Sequence, residues 1–123
     1  MNNYIRFLLS LIVLDYIWLT LTSSYQQSYY SHLQNSPMTI DYKAMILFYL
    51  IAPFAFIYFI KPLASSKRDA FVKGAIMGFL MYMTFDLTSK AVLSRFTWKY
   101  AIQDMIWGSF VIGMSSYIAY YKK

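Results

Sequence analysis

Ala70–Leu87 reads AFVKGAIMGFLMYMTFDL, eighteen residues holding one lysine and one aspartate. At 1.5 Å of rise per residue, a helix of this length covers about 27 Å, close to the ~30 Å hydrocarbon core of a bilayer. Ala70, Gly74 and Gly78 fall at four-residue steps, a ridge of small side chains that lets a second helix approach closely. Tyr82 and Asp86 continue the same steps, so the packing seam leads towards an acid. An aspartate in mid-membrane costs about 2.5–3.5 kcal/mol on insertion scales, and such residues face a protein interior rather than lipid.

Three further apolar blocks have similar length, so spans are expected at about 4–21, 44–60, 70–87 and 104–121. The composition agrees: 59% of the 123 residues are hydrophobic and only 13% charged, against about 25% charged in soluble domains. The expected fold is all-α, an integral membrane four-helix bundle forming a single domain over 1–123. The first block reads as a membrane helix rather than a cleaved leader, because Asp15 and Trp18 interrupt it and no small-residue cleavage site follows. Pro53 predicts a kink in the second span.

Between the first two spans lies a polar stretch, about 22–43, in which Tyr25, Tyr29 and Leu33 recur every fourth residue. That spacing predicts a short helix lying on the headgroups. The connector at about 88–103 mixes Leu93, Phe96, Trp98 and Tyr100 with Lys90, Arg95 and Lys99, the composition of an interfacial segment.

The formal net charge is +6. The cations sit between apolar blocks and at the termini, which suits lipid headgroups and not nucleic acid. On the four-span topology Arg6, Lys61, Lys67, Arg68, Lys73, Lys122 and Lys123 share one side, and Lys43, Lys90, Arg95 and Lys99 the other. The positive-inside rule then places the N and C termini in the cytoplasm. There is no cysteine, which excludes disulfides and thiolate metal sites.

All five acids are aspartates. The topology brings Asp15, Asp86 and Asp104, from three helices, into one layer on the non-cytoplasmic side. Asp15-Tyr16-Ile17-Trp18 and Asp104-Met105-Ile106-Trp107 share a D-x-x-W spacing that puts acid and indole on one helix face. Clustered carboxylates repel, which favours retention of a proton by one of them. A protonated Asp suits general-acid chemistry or proton-coupled transport; deprotonated, the three offer the hard oxygens that Mg²⁺ or Ca²⁺ prefers. A structural reading stands beside these. Asp104 at a helix start is favourable through capping and the helix dipole, and Asp86 is within reach of Lys90 or Arg95. Trp18, Tyr82, Thr88, Lys90, Arg95 and Trp107 are the expected binding residues around the acids. His32, the sole histidine, reads as a solvated loop side chain. No phosphate loop, dinucleotide turn, nucleophile elbow or HExxH motif occurs, and neither a cofactor nor a bound metal is expected.

Leu14-Asp15 with Trp18-Leu19, Leu47-Phe48-Tyr49, Thr84-Phe85-Asp86-Leu87-Thr88, Ala91, Leu93, Trp98, and Asp104 with Trp107-Gly108 together resemble a family. It is the small bacterial predicted membrane proteins called domain of unknown function 2177, and the likeness covers nearly the whole chain. The most specific part runs from Thr84 to Gly108. Phe85 stands where the family often has Tyr, and Ser89 where it often has Asn, which removes polar atoms beside Asp86. The resemblance implies a small multi-pass membrane protein, with a bacterial cytoplasmic (inner) membrane as its location, and supplies no activity. A membrane acid in the first of four short helices is also similar to the small multidrug exporters, from which the long polar loop, Pro53 and the extra aspartates depart.

Three functions are compatible with this pattern. The first is a lipid-handling or lipid-modifying protein whose partner is a membrane lipid. The second is a dimeric proton-coupled transporter. The third is a non-catalytic subunit that meets a second copy or another membrane protein through Gly74 and Gly78.

Overall fold

A computed structural model describes residues 2–38 and 40–121. Among the described residues the chain is all helical: α1 (Asn3–Leu21), α2 (Ser23–Gln34), α3 (Tyr42–Ala55), α4 (Lys67–Val92) and α5 (Trp98–Ala119), with a π-helical turn, Phe56–Ile60, prolonging α3. The expectation of four helices is therefore corrected to five. Thr22 alone separates α1 from α2, its hydroxyl donating back to the Trp18 carbonyl at 2.8 Å, so the chain turns without a loop. The stretch that the sequence marks as a headgroup helix is α2, and Tyr29 and Leu33 of it pack onto the start of α5. Tyr29 stacks on Tyr100 with centroids 4.1 Å apart, and Leu33 packs on the same cluster.

Each long helix begins at a polar cap. Asn2 accepts from the Ile5 amide, Asp41 from Lys43 and Ala44, Ser66 from Asp69, and Thr97 from Tyr100; each side chain satisfies an amide that the first turn leaves without a partner. α2 ends at Asn35, whose φ of 57° is left-handed. Pro53 lies inside α3. The distortion follows it: the Lys61 amide donates to Phe56 at 2.8 Å, one residue further back than an α-helix allows.

α5 is the central element and carries the longest run of buried positions. It lies antiparallel to α4 across the short turn 93–97, and the two backbones nearly touch. A Cβ added at Gly78 would run into the Gly108 carbonyl oxygen, and one added at Gly74 would lie 2.5 Å from the Ser116 hydroxyl. Ser109 donates to the Ala75 carbonyl at 2.9 Å across the seam. Gly74 and Gly78 are thus occupied by α5 within the chain. α1 packs on α5 and α3, burying Asn3, Phe7, Leu11 and Asp15 on one four-residue stripe.

The outward faces are apolar: Val13, Ile17, Ile46, Ile51, Phe59, Ile76 and Ile106 are among many exposed large hydrophobics. Three helical segments, Asn3–Leu21, Tyr42–Ile60 and Lys67–Val92, are long and apolar enough to cross a membrane. α5 is of comparable length but carries Gln103, Asp104, Ser109, Ser115 and Ser116, which dilute its hydropathy while it is enclosed by its neighbours.

Candidate functional site

Asp15, Asp86 and Asp104 lie at matching heights. Asp15 is six residues before the end of α1, Asp86 six before the end of α4, and Asp104 six after the start of α5. Six residues are about 9 Å of helix, and all three helix ends meet near α2. Asp104 therefore lies well inside α5 rather than at a helix start. The helix, capped by Thr97, starts at Trp98, six residues earlier than the span expected at 104–121, and the Ala101 amide already donates to the Thr97 carbonyl at 3.1 Å. The capping explanation for Asp104 falls with this.

The fourth step of the Asn3-Phe7-Leu11-Asp15 stripe turns Asp15 inward, where it is 7% exposed. Tyr49 of α3 donates to one of its oxygens at 2.9 Å, and the Trp107 indole of α5 donates to the other at 3.1 Å. The indole on Asp15 is thus the one from the second D-x-x-W motif. Trp18, from Asp15's own motif, stacks on Trp107 instead, with centroids 4.6 Å apart and planes 9° from parallel. The two motifs interlock across α1 and α5.

Asp86 is 0% exposed. No N–H or O–H group among the described residues donates to either of its oxygens, and the Asp104 carboxyl is its acidic neighbour. The cations expected near it are engaged elsewhere. Arg95 donates to the His32 carbonyl at 2.8 Å, and Lys90 lies over the Trp98 ring at 5.8 Å. Thr88 is exposed and bonds back to Thr84 within its own helix. Lys73 and Asp69 form the ion pair found among the described residues, away from this layer.

Asp15 and Asp104 line a polar cavity of about 190 Å³, together with Trp18, Leu19, Gln26, Tyr30, Tyr82, Tyr100 and Trp107. At roughly 30 Å³ per water this is space for about six. Its roof comes from α2. Gln26 is buried and accepts from Tyr100 at 2.8 Å, and Tyr30 and Tyr100 share a 2.7 Å hydroxyl contact. Burial pushes the Tyr30 phenol up to about 12. Asp104 and Tyr82 also line a second, apolar groove of about 370 Å³, whose other walls are Phe48 of α3 and Met81 and Phe85 of α4. The polar cavity and the apolar groove meet at Asp104 and Tyr82.

Of the binding residues expected from the sequence, Trp18, Tyr82 and Trp107 line the cavity, whereas Thr88, Lys90 and Arg95 do not. Among the described residues no three acids or histidines gather closely enough to hold a metal ion. Four contributors lie outside the site residues expected from the sequence: Gln26, Tyr30, Tyr49 and Tyr100. Thr22, Gln26 and Tyr30 recur every fourth residue, a polar stripe beside the tyrosine stripe that signals the roof. Tyr49 and Tyr100 stand among thirteen tyrosines, and nothing local distinguishes them.

A family model described as a predicted membrane protein (DUF2177) matches residues 1–121, and the chain belongs to that family. No curated protein and no solved structure matches it.

Proposed function

We propose that this member of a predicted membrane protein family is a lipid-handling protein of the bacterial cytoplasmic membrane, which admits a lipid sideways from the bilayer and holds its headgroup at Asp104. In this reading α5 is the fourth span. Its 22 residues reach about 33 Å, enough for the hydrocarbon core, and burial against α1 and α4 offsets its polar content. The termini lie in the cytoplasm and the aspartate layer lies towards the other face, as the distribution of lysine and arginine favours.

One observation carries the reading: a carboxylate at the join of a polar cavity and an apolar groove. A membrane lipid has that same division between head and chain. Inside a bilayer the groove between Phe48, Met81 and Phe85 faces acyl chains, so its natural contents are hydrocarbon. The cavity beyond it offers Asp15, Asp104 and tyrosine hydroxyls, which a headgroup's donors satisfy.

The test compares membrane lipids by mass spectrometry in cells that lack the protein, overproduce it, or overproduce Asp104→Leu. The reading expects one lipid class to change in opposite directions on deletion and overproduction, and the Asp104→Leu variant to behave as the deletion. Identical lipid profiles in all strains would refute it.

A further inference from the structure

The polar cavity has an apolar groove on each side. Besides the groove at Asp104, a second one of about 420 Å³ is lined by Trp18, Leu21, Thr22 and Tyr25 and by Lys99, Gln103 and Ile106 of α5. Trp18 belongs to this groove and to the cavity, as Asp104 and Tyr82 belong to the first groove and the cavity. Gln103 and Asp104 are consecutive, so their side chains leave α5 about 100° apart. The two grooves therefore run down different faces of one helix, and the headgroup cavity lies between them.

The charges also differ from side to side. The first groove ends on a carboxylate, whereas the second carries the exposed cation of Lys99. An anion is favoured at Lys99 and a hydrogen-bond donor at Asp104. We infer that the site takes a two-chain phospholipid that straddles α5, with one acyl chain in each groove, its phosphate at Lys99 and a donor beyond the phosphate, an ammonium or hydroxyl, at Asp104. A single-chain lipid fills one groove only, and a lipid without phosphate leaves Lys99 unmatched. This inference rests on the lipid-handling reading above and adds to it the number of chains and the chemistry of the head.

Native mass spectrometry of the full chain, released from detergent with defined lipids, tests it. The probes are dioleoyl phosphatidylethanolamine, its single-chain lyso form, and dioleoylglycerol. Ile106→Trp closes the second groove and Met81→Trp the first; both positions lie at the groove walls, and Leu21→Trp closes the second groove independently from α1. Retention of the two-chain phospholipid is expected to fall at least fivefold in each single variant. Retention of the lyso lipid is expected to fall less than twofold in either, because it uses the groove left open, and fivefold only when both grooves are closed. Lys99→Gln is expected to weaken the phospholipid about fivefold and leave dioleoylglycerol unchanged. If Met81→Trp abolishes retention while both Ile106→Trp and Leu21→Trp leave it intact, one groove suffices and the two-chain inference is overturned with the lipid reading standing. Equal loss of phospholipid and dioleoylglycerol in Lys99→Gln overturns the phosphate assignment. If the unmodified protein retains none of the three, both readings fail.

Discussion

Replacing Tyr49 by Phe removes a single hydroxyl from the interior, and its effect is calculable from the geometry. That hydroxyl donates to Asp15 at 2.9 Å, and Asp15 is 7% exposed. Interhelical hydrogen bonds in membrane proteins average about 0.6 kcal/mol in double-mutant cycles and reach about 1.7. An acceptor enclosed by the bundle and held from both sides belongs at the upper end, since losing one donor leaves part of a buried acceptor unsatisfied. Tyr49→Phe is therefore expected to destabilise the bundle by about 1–1.7 kcal/mol, close to a tenfold shift in the folding equilibrium. In an Asp15→Leu background the same change is expected to cost nothing, because the hydroxyl has already lost its acceptor. Titration with SDS in mixed micelles measures all four members of the cycle. Tryptophan fluorescence follows the transition, because the Trp18–Trp107 stack separates when α1 leaves α5. A coupling between Asp15 and Tyr49 below about 0.3 kcal/mol would refute the claim that this contact fixes α1 against α3.

Three other outcomes follow from the same geometry. Gly78→Ala is expected to destabilise by about 1–3 kcal/mol, since the atoms met are the Gly108 backbone and the Ile112 Cβ of α5, whereas Gly113→Ala meets its neighbours at 3.0–3.2 Å and should cost less; the SDS midpoints of the two variants rank them. At Asn35, with φ at 57°, Gly is expected to be neutral or stabilising and Val to lose about 1 kcal/mol, read as reduced protection of α2 amides in hydrogen exchange. Tyr30 binds its proton more tightly when folded than at its ordinary value of 10.0, so its contribution is present below pH 10 and lost as pH rises towards about 12; Tyr30→Phe should flatten that part of the stability profile.

The helical membrane architecture was legible because it rests on length and hydropathy, which are local properties. The α4 seam was legible for the same reason: Ala70, Gly74, Gly78, Tyr82 and Asp86 keep to four-residue steps, and the structure puts that row against α5. Asp15 could have been assigned inward from Asn3, Phe7 and Leu11, which share its stripe. The start of α5 was misplaced because Lys99, Tyr100 and Gln103 look like an interfacial connector, and only tertiary contacts with Tyr29, Tyr30 and Leu33 give that turn an apolar environment. The pairing of acids with donors was not legible at all. Short-range reasoning joins Asp15 to Trp18 and Asp104 to Trp107, whereas helix packing gives the Trp107 indole to Asp15 and brings Asp86 to Asp104. The cations Lys90 and Arg95 are near the acids in sequence, yet the turn at 93–97 carries them outward to Trp98 and His32.

The most direct test is photo-crosslinking of the unmodified protein in bilayers, using two forms of one phospholipid, with a diazirine either in the headgroup or at mid-chain, and mapping the adducts by peptide mass spectrometry. Headgroup adducts are expected on Tyr82, Asp104 and Trp107, which line the polar cavity, and chain adducts on Phe48, Met81 and Phe85, which wall the groove. Headgroup adducts confined to positions at the helix ends such as Tyr42 and Trp98, with none on the cavity residues, would contradict the lipid-handling reading.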